Sequence, residues 1–237
     1  MRRGFSLIES LMAMTLFLII LVSSFQAYQS ARTHFRNLLQ SEEANTAAHG
    51  SIDRMIWEVN EAGSGLHKAM SQGWLDALYL EKDMLILRFA ESELSAKANL
   101  SPGQNWIPLE KTSELKKGQE ICIHDPFRGE VKTILQVEKT GITLSSPLTN
   151  TFRFEETTIL KIKRISFYLD RKSSVLRRKV NSSPAQPLCE EVSHLDIQYD
   201  KTANLMSISL IMSAEKDTPH EITIYPKNLA LSIPPGV

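Results

Sequence analysis

The 237-residue chain is 42% hydrophobic and 23% charged, with 27 basic against 27 acidic side chains. That balance gives no electrostatic case for nucleic acid as the main partner, because a phosphate track needs an excess of Lys and Arg. The length suits one large globular domain or two small ones in addition to a membrane segment.

The first stretch is the most informative. Arg2, Arg3 and Gly4 precede an apolar run that carries a single carboxylate, Glu9, near its start, and from Leu11 to Val22 only Thr15 is polar. With Phe5, Leu7 and Ile8 the run reaches the roughly 20 residues that a helix needs to cross a bilayer core. A secretory signal places its small-residue cleavage site beyond the apolar region. Here the glycine lies before it, so cleavage after Gly4 would leave the apolar segment on the mature chain. No basic residue follows Arg3 until Arg32, which predicts a cytoplasmic N-terminus with the bulk of the chain on the far side. An ionised carboxylate at the centre of a bilayer costs roughly 2.5–3.5 kcal/mol, so Glu9 is a functional position by default. About one helical turn from the membrane edge, it lowers that cost by snorkelling.

Gly4-Phe5-Ser6-Leu7-Ile8-Glu9 resembles the processing and assembly motif of type IV pilins and type II secretion pseudopilins. The resemblance implies a leader of residues 1–4, shorter than in many members, cut between Gly4 and Phe5 by a membrane prepilin peptidase. It implies N-methylation of the new Phe5 amine and a role for Glu9 in subunit assembly, its carboxylate meeting the Phe5 amine of a neighbouring subunit. In low dielectric such a pair attracts strongly, whereas a lone charge bears its whole desolvation cost. The implied partners are other major and minor pilins or pseudopilins, the peptidase, and inner-membrane lipid before assembly. Without Arg2 and Arg3, 25 basic side chains stand against 27 acidic ones.

Residues 5–28 are expected to form the transmembrane and assembly helix, and residues 29–63 to continue it amphipathically into the head. No proline occurs before Pro102, and no glycine between Gly4 and Gly50. Phe25, Tyr28, Phe35, Leu38, Leu39, Ile52, Met55, Ile56 and Val59 recur at three- and four-residue intervals. Gln29, Arg32, Arg36, Glu42, Glu43, Asp53 and Glu58 fill much of the remaining surface. The glycines of Ala62-Gly63-Ser64-Gly65 supply a C-cap. Gly50 marks a candidate bend or break. Ile52 to Val59 should pack on the protein's own sheet, whereas residues before about Phe35 must meet lipid or other subunits.

Residues 64–237 read as a β-rich head. Leu78 to Phe89 has the pattern of a hairpin turning at Glu81 to Asp83, followed by a loop from Ser92 to Asn105. Glu120 to His124, Val131 to Val137 and Ile142 to Leu144 are short strands separated by Asp125-Pro126 and Thr140-Gly141 turns. Between Thr158 and Leu169 the apolar alternation changes phase at Arg164, which calls for a β-bulge or a strand break. Val175 to Val180 returns as a hairpin, and Asn181 to Pro187 is a loop. Leu195-Ile197-Tyr199 and Met206-Ile208-Leu210-Met212 alternate cleanly, Ile222 to Tyr225 follows, and Pro234-Pro235 closes the chain. The fold class expected is α+β, a long N-terminal helix packed on a β-rich C-terminal head as in pilins.

A second, looser resemblance spans Arg54 to Gly63, Leu188 to Val192, Leu195-Ile197-Tyr199, Ile208-Leu210 and Tyr225-Pro-Lys-Asn228-Leu-Ala. These positions look like landmarks of PilW-type minor pilins, in which Arg-Asn often stands where this chain has Lys227-Asn228. The J class of type II secretion pseudopilins is the competing family. A third alternative is an anchored or exported binding protein with a conventional signal cut near Val22-Ser23-Ser24.

Catalytic signals are weak. His34, His49, His67, His124, His194 and His220 are scattered, and no nucleophile elbow, HExxH, P-loop or CxxC occurs. The sequence therefore predicts no catalytic residue, no metal and no cofactor. A DNA-uptake role would rest on Lys161, Lys163 and Arg164 and on Arg177, Arg178 and Lys179, which solvated strand faces also explain. Cys122 and Cys189 either oxidise to one bridge outside the cytoplasm or remain two buried thiols, and their flanking sequence fits both.

Overall fold

The computed structural model describes residues 7–213 and 219–230. The chain divides into two compact units between Thr46 and Ala47. One helix, α1 (Leu7–Glu61), runs through the boundary without interruption, so Gly50 does not break it. The first unit contains only α1 residues among those described.

In the second unit α1 buries Ala48, Ser51, Ile52, Met55, Glu58 and Val59, the three- and four-residue spacing of one helical face. The helix ends where expected. Ala62 N–H donates to Glu58 and Val59 carbonyls, and Gly63 then adopts φ 84°. Gly63 N–H donates to Arg88 O at 2.9 Å and Ala90 N–H to Ser64 O at 2.9 Å, so the turn leaving the helix lies along a strand edge. A short helix, α2 (His67–Ser71), precedes the strands.

The strands follow in order: β1 (Leu78–Glu81), β2 (Met84–Leu94), β3 (Trp106–Pro108), β4 (Glu120–His124), β5 (Gly129–Val137), β6 (Gly141–Leu144) and β7 (Thr158–Asp170). After these come β8 (Val175–Val180), β9 (Gln186–Cys189), β10 (Val192–Asp200), β11 (Leu205–Met212) and β12 (His220–Ile224), then the helical turn α3 (Lys227–Ala230). The first nine strands form one sheet of order β1-β2-β7-β4-β5-β6-β3, with β8 on β7 and β9 on β8. The last three form a second sheet, β10-β11-β12.

The centre of the large sheet is β7. Along one edge it pairs with β2; along the other, Thr158–Ile162 pairs with β4 and Ile165–Asp170 with β8. The expected break at Arg164 does not occur, and β7 itself carries no bulge. The register irregularity lies in β2, between Ala90 and Ser92. The phase change arises because the first half of β7 is buried on both faces: Ile159, Leu160, Lys161 and Ile162 are all buried. Ile159 there joins a second apolar core with Ile121, Ile123, Ile107, Leu100 and Phe152.

Three further expectations need correction. Ser92 to Leu94 continue β2 rather than opening a loop, since they pair with Lys161 to Ile159. Gln186 and Pro187, read as loop, belong to β9. Glu58, placed with the exposed polar residues, is fully buried. In the second sheet the alternation holds: Met206, Ile208, Leu210 and Met212 are buried.

Candidate functional site: the N-terminal segment

Gly4 and Phe5, the predicted cleavage and methylation positions, lie outside the described residues. From Leu7 onward the segment is helical, with Glu9 in its first turn. The apolar side chains are exposed almost all round the helix: Leu7 is 80% exposed, Phe17 63% and Leu38 68%. Apolar surface buried elsewhere in folded proteins gives about 25 cal/mol per Å², so a continuous exposed run of this kind needs lipid or protein around it. Its one polar side chain between Leu11 and Val22 is satisfied within the helix. Thr15 Oγ1 donates to Leu11 O at 3.1 Å and to Met12 O at 2.9 Å, which removes the need for an external partner. The helix is long and apolar enough to cross a membrane, and none of its most apolar window is buried in the protein.

Residues 1–25 match the family model described as the prokaryotic N-terminal methylation motif. The N-terminus is of the prepilin type. The match covers residues 1–4, the expected cleavage and methylation positions Gly4 and Phe5, Glu9 and most of the exposed apolar run. It supports a pilin-like family, processing by prepilin peptidase, assembly with other pilin-like subunits and anchoring in the inner membrane. Among curated proteins none matches the chain.

Some similarity to solved structures falls on phage tailspikes. The tailspike Gp54 of Acinetobacter baumannii bacteriophage AP22, in complex with a capsular saccharide, is 15% identical over 31% of this chain and 15% of its own, with TM-score 0.27. The tailspike gp49 of Pseudomonas phage LKA1 is 23% identical over 31% of this chain and 15% of its own, with TM-score 0.28. That of Pseudomonas phage phi297, gp61, is 11% identical over 32% and 14%, with TM-score 0.27.

The prepilin-type helix is held to the rest of the second unit by polar contacts that the sequence did not single out. Glu58 accepts from Arg178 of β8, with Nη2–Oε1 2.7 Å, and from Arg54 one turn earlier, with Nε–Oε1 2.8 Å. Ser51 Oγ lies 3.1 Å from Leu188 O and donates also to Ala47 O. Asn228 Nδ2 donates to Asn60 O at 2.9 Å. Thus three stretches that resembled minor-pilin landmarks, Arg54 to Gly63, Leu188 to Val192 and Lys227-Asn228, meet on α1. The Arg54–Glu58 spacing of i,i+4 was the readable part of this arrangement; the reach from Arg178 was not.

The other candidate residues do not gather into a second site. Cys122 and Cys189 are both buried free thiols, one of the two alternatives that the sequence leaves open. Cys122 lies opposite Leu160 of β7, whereas Cys189 lies opposite Leu176, itself opposite Leu169. Leu160 and Leu169 are nine residues apart along one strand, about 30 Å at 3.3 Å per residue. A disulfide needs Cα atoms within about 7 Å. Burial pushes the Cys122 thiol up to about 12, so it stays protonated and inert.

His124 stacks on Trp74, ring centroids 5.6 Å apart, and burial lowers its pKa. The neighbouring Asp125 carboxylate accepts from Phe127 and Arg128 N–H at 2.7 Å each, shaping the β4–β5 turn. In the basic clusters, Lys161 pairs with Glu91, Arg177 with Asp170 and Arg178 with Glu58, while Lys163 lies over the Phe89 ring. Positive charge is therefore largely cancelled in place, and no continuous track for a polyanion results.

Proposed function

We propose that the protein is a minor pilin-like structural subunit that helps to initiate or cap assembly of a type IV pilus, with no enzymatic role. The observation that carries this reading is the exposed apolar helix directly behind a prepilin-type cleavage motif. Trimming after Gly4 keeps that helix on the mature chain and frees the Phe5 amine. The carboxylate of Glu9 then receives the amine of an adjacent subunit, an attraction that strengthens as water and lipid headgroups are excluded. Exposed stalk residues such as Phe17, Ile20 and Phe25 bury against neighbouring stalks as the filament leaves the membrane. Before assembly the helix spans the inner membrane, N-terminus cytoplasmic and head periplasmic. The head, a nine-stranded and a three-stranded sheet, is bulky for every position along a shaft, which supports placement at or near the tip.

The same N-terminal motif serves J-class pseudopilins of type II secretion, which share a large β-rich head. One experiment separates the two. Cells lacking the protein and complemented with wild type or Glu9→Ala are scored for surface filaments and for export of folded enzymes. Loss of filaments with normal export supports the pilus reading. Loss of export with normal filaments replaces it by the secretion reading, and an unaffected Glu9→Ala strain on both counts overturns the assembly role.

A further inference from the structure

One cleft of the large sheet collects hydrogen-bond donors without a matching acceptor. Arg164, Ser166 and Tyr168 alternate along β7 and so share a face; Lys179 of β8 lies directly opposite Ser166, and Asn181 follows at the strand end. With Met84 these residues line a cavity of about 240 Å³.

Each donor is left available by its surroundings. Asn181 Oδ1 accepts from Arg164 N–H at 2.8 Å, which orients the side-chain amide and leaves its NH₂ free to donate. Asn181 also holds φ 49°, a left-handed conformation fixed here by its N–H donating to Arg164 O at 2.7 Å. The Nε of Arg164 is buried and makes no hydrogen bond. The nearest carboxylates to this guanidinium are stretched: Glu81 at 3.6 Å and Glu120 at 3.9 Å, the latter already bound to Arg88 at 2.7 Å. Lys179 has no carboxylate partner among the described residues. Three cations, Arg88, Arg164 and Lys179, thus face two carboxylates, Glu81 and Glu120, and the excess positive charge sits in the cleft.

We propose that this cleft binds a single phosphate group, with Arg164 and Lys179 supplying charge and Ser166, Tyr168 and Asn181 supplying neutral donors. A tetrahedral oxyanion presents acceptors in several directions and matches a donor set drawn from two strands and a turn. The neighbouring basic residues Lys161, Arg177 and Arg178 each have a carboxylate of their own. A long polyanion would find no second phosphate contact beside this one, so the geometry favours one isolated group over a nucleic acid.

The test uses the full chain in non-ionic detergent and phosphate-free buffer, titrated calorimetrically with inorganic phosphate, with glycerol 3-phosphate and with a single-stranded oligonucleotide. Saturable binding of inorganic phosphate marks a site for the free ion, and preference for glycerol 3-phosphate marks one for a phosphate ester such as a lipid headgroup. Either is expected to weaken at least tenfold in Lys179→Gln and several-fold in Ser166→Ala, while Lys201→Gln, an exposed cation elsewhere, binds as wild type. Unchanged thermal unfolding of Lys179→Gln without ligand keeps a folding defect apart from a binding one. The proposal is overturned if neither phosphate compound binds, if Lys179→Gln binds as tightly as wild type, or if the oligonucleotide binds more tightly than both.

Discussion

Glu58 of α1 and Arg178 of β8 form a buried ion pair, 2.7 Å between Nη2 and Oε1, with the Glu58 side chain wholly inaccessible. The pair ties the second half of α1 to the large sheet. Burying two charges is costly, and their attraction offsets this only while both are present. Arg178→Met should therefore destabilise the fold by about 3–5 kcal/mol, because Arg54 alone, nearly half exposed, compensates Glu58 poorly. The double variant Glu58→Met/Arg178→Met should recover most of that loss. Denaturant unfolding of the three proteins measures the coupling, and equal losses in single and double variants would contradict it.

Two glycines on and after α1 should respond in opposite directions. Gly50 lies in unbroken helix, and a Cβ there meets nothing within 4 Å. Gly50→Ala should stabilise by about 0.5–1 kcal/mol through the lower entropy of the unfolded chain. Gly63 has φ 84°, and its Cβ would come 2.8 Å from Met70 Cε. Gly63→Ala should destabilise by about 1 kcal/mol or more, even if Met70 swings aside. Shifts in the thermal midpoint, up for the first and down for the second, check both.

The thiols should remain reduced after export. Intact mass before and after reduction should be the same, and a thiol-alkylating reagent should label Cys122 only after denaturation. A mass difference of two hydrogens on reduction would show that the strands carrying Cys122 and Cys189 lie closer than their registers allow.

Acid should weaken the β5 region through Glu130. Burial alone would raise its pKa, but the Thr149 and Asn150 N–H groups and the Lys132 ammonium together outweigh that and lower it. A carboxylate depressed on folding stabilises fully above its unfolded pKa of roughly 4.3, and the contribution disappears as pH falls through the lower folded value. Stability measured from pH 6 downward should fall more shallowly in Glu130→Gln than in wild type, and parallel curves would contradict this assignment.

Much of this was legible in the sequence wherever the signal was local. The helix end at Gly63, the β4 limits and the alternation of Met206 to Met212 each follow from turn chemistry or strict period. The phase change in β7 was visible but misread, because its cause is the burial of Ile159 to Ile162 on both faces, and no local rule encodes that. Glu58 looked like a surface residue because its decisive partner lies 120 positions away. The phosphate cleft was equally hidden: Arg164 and Lys179 read as members of two basic clusters until pairing removed their neighbours from consideration.

The mature N-terminus tests the central claim most directly. Mass spectrometry of the protein purified from the membranes of its own cells should find a chain starting at Phe5 and carrying one added methyl group on its amine. A chain beginning near Ser23 or Ser24, with the apolar helix gone, would contradict the filament-subunit account.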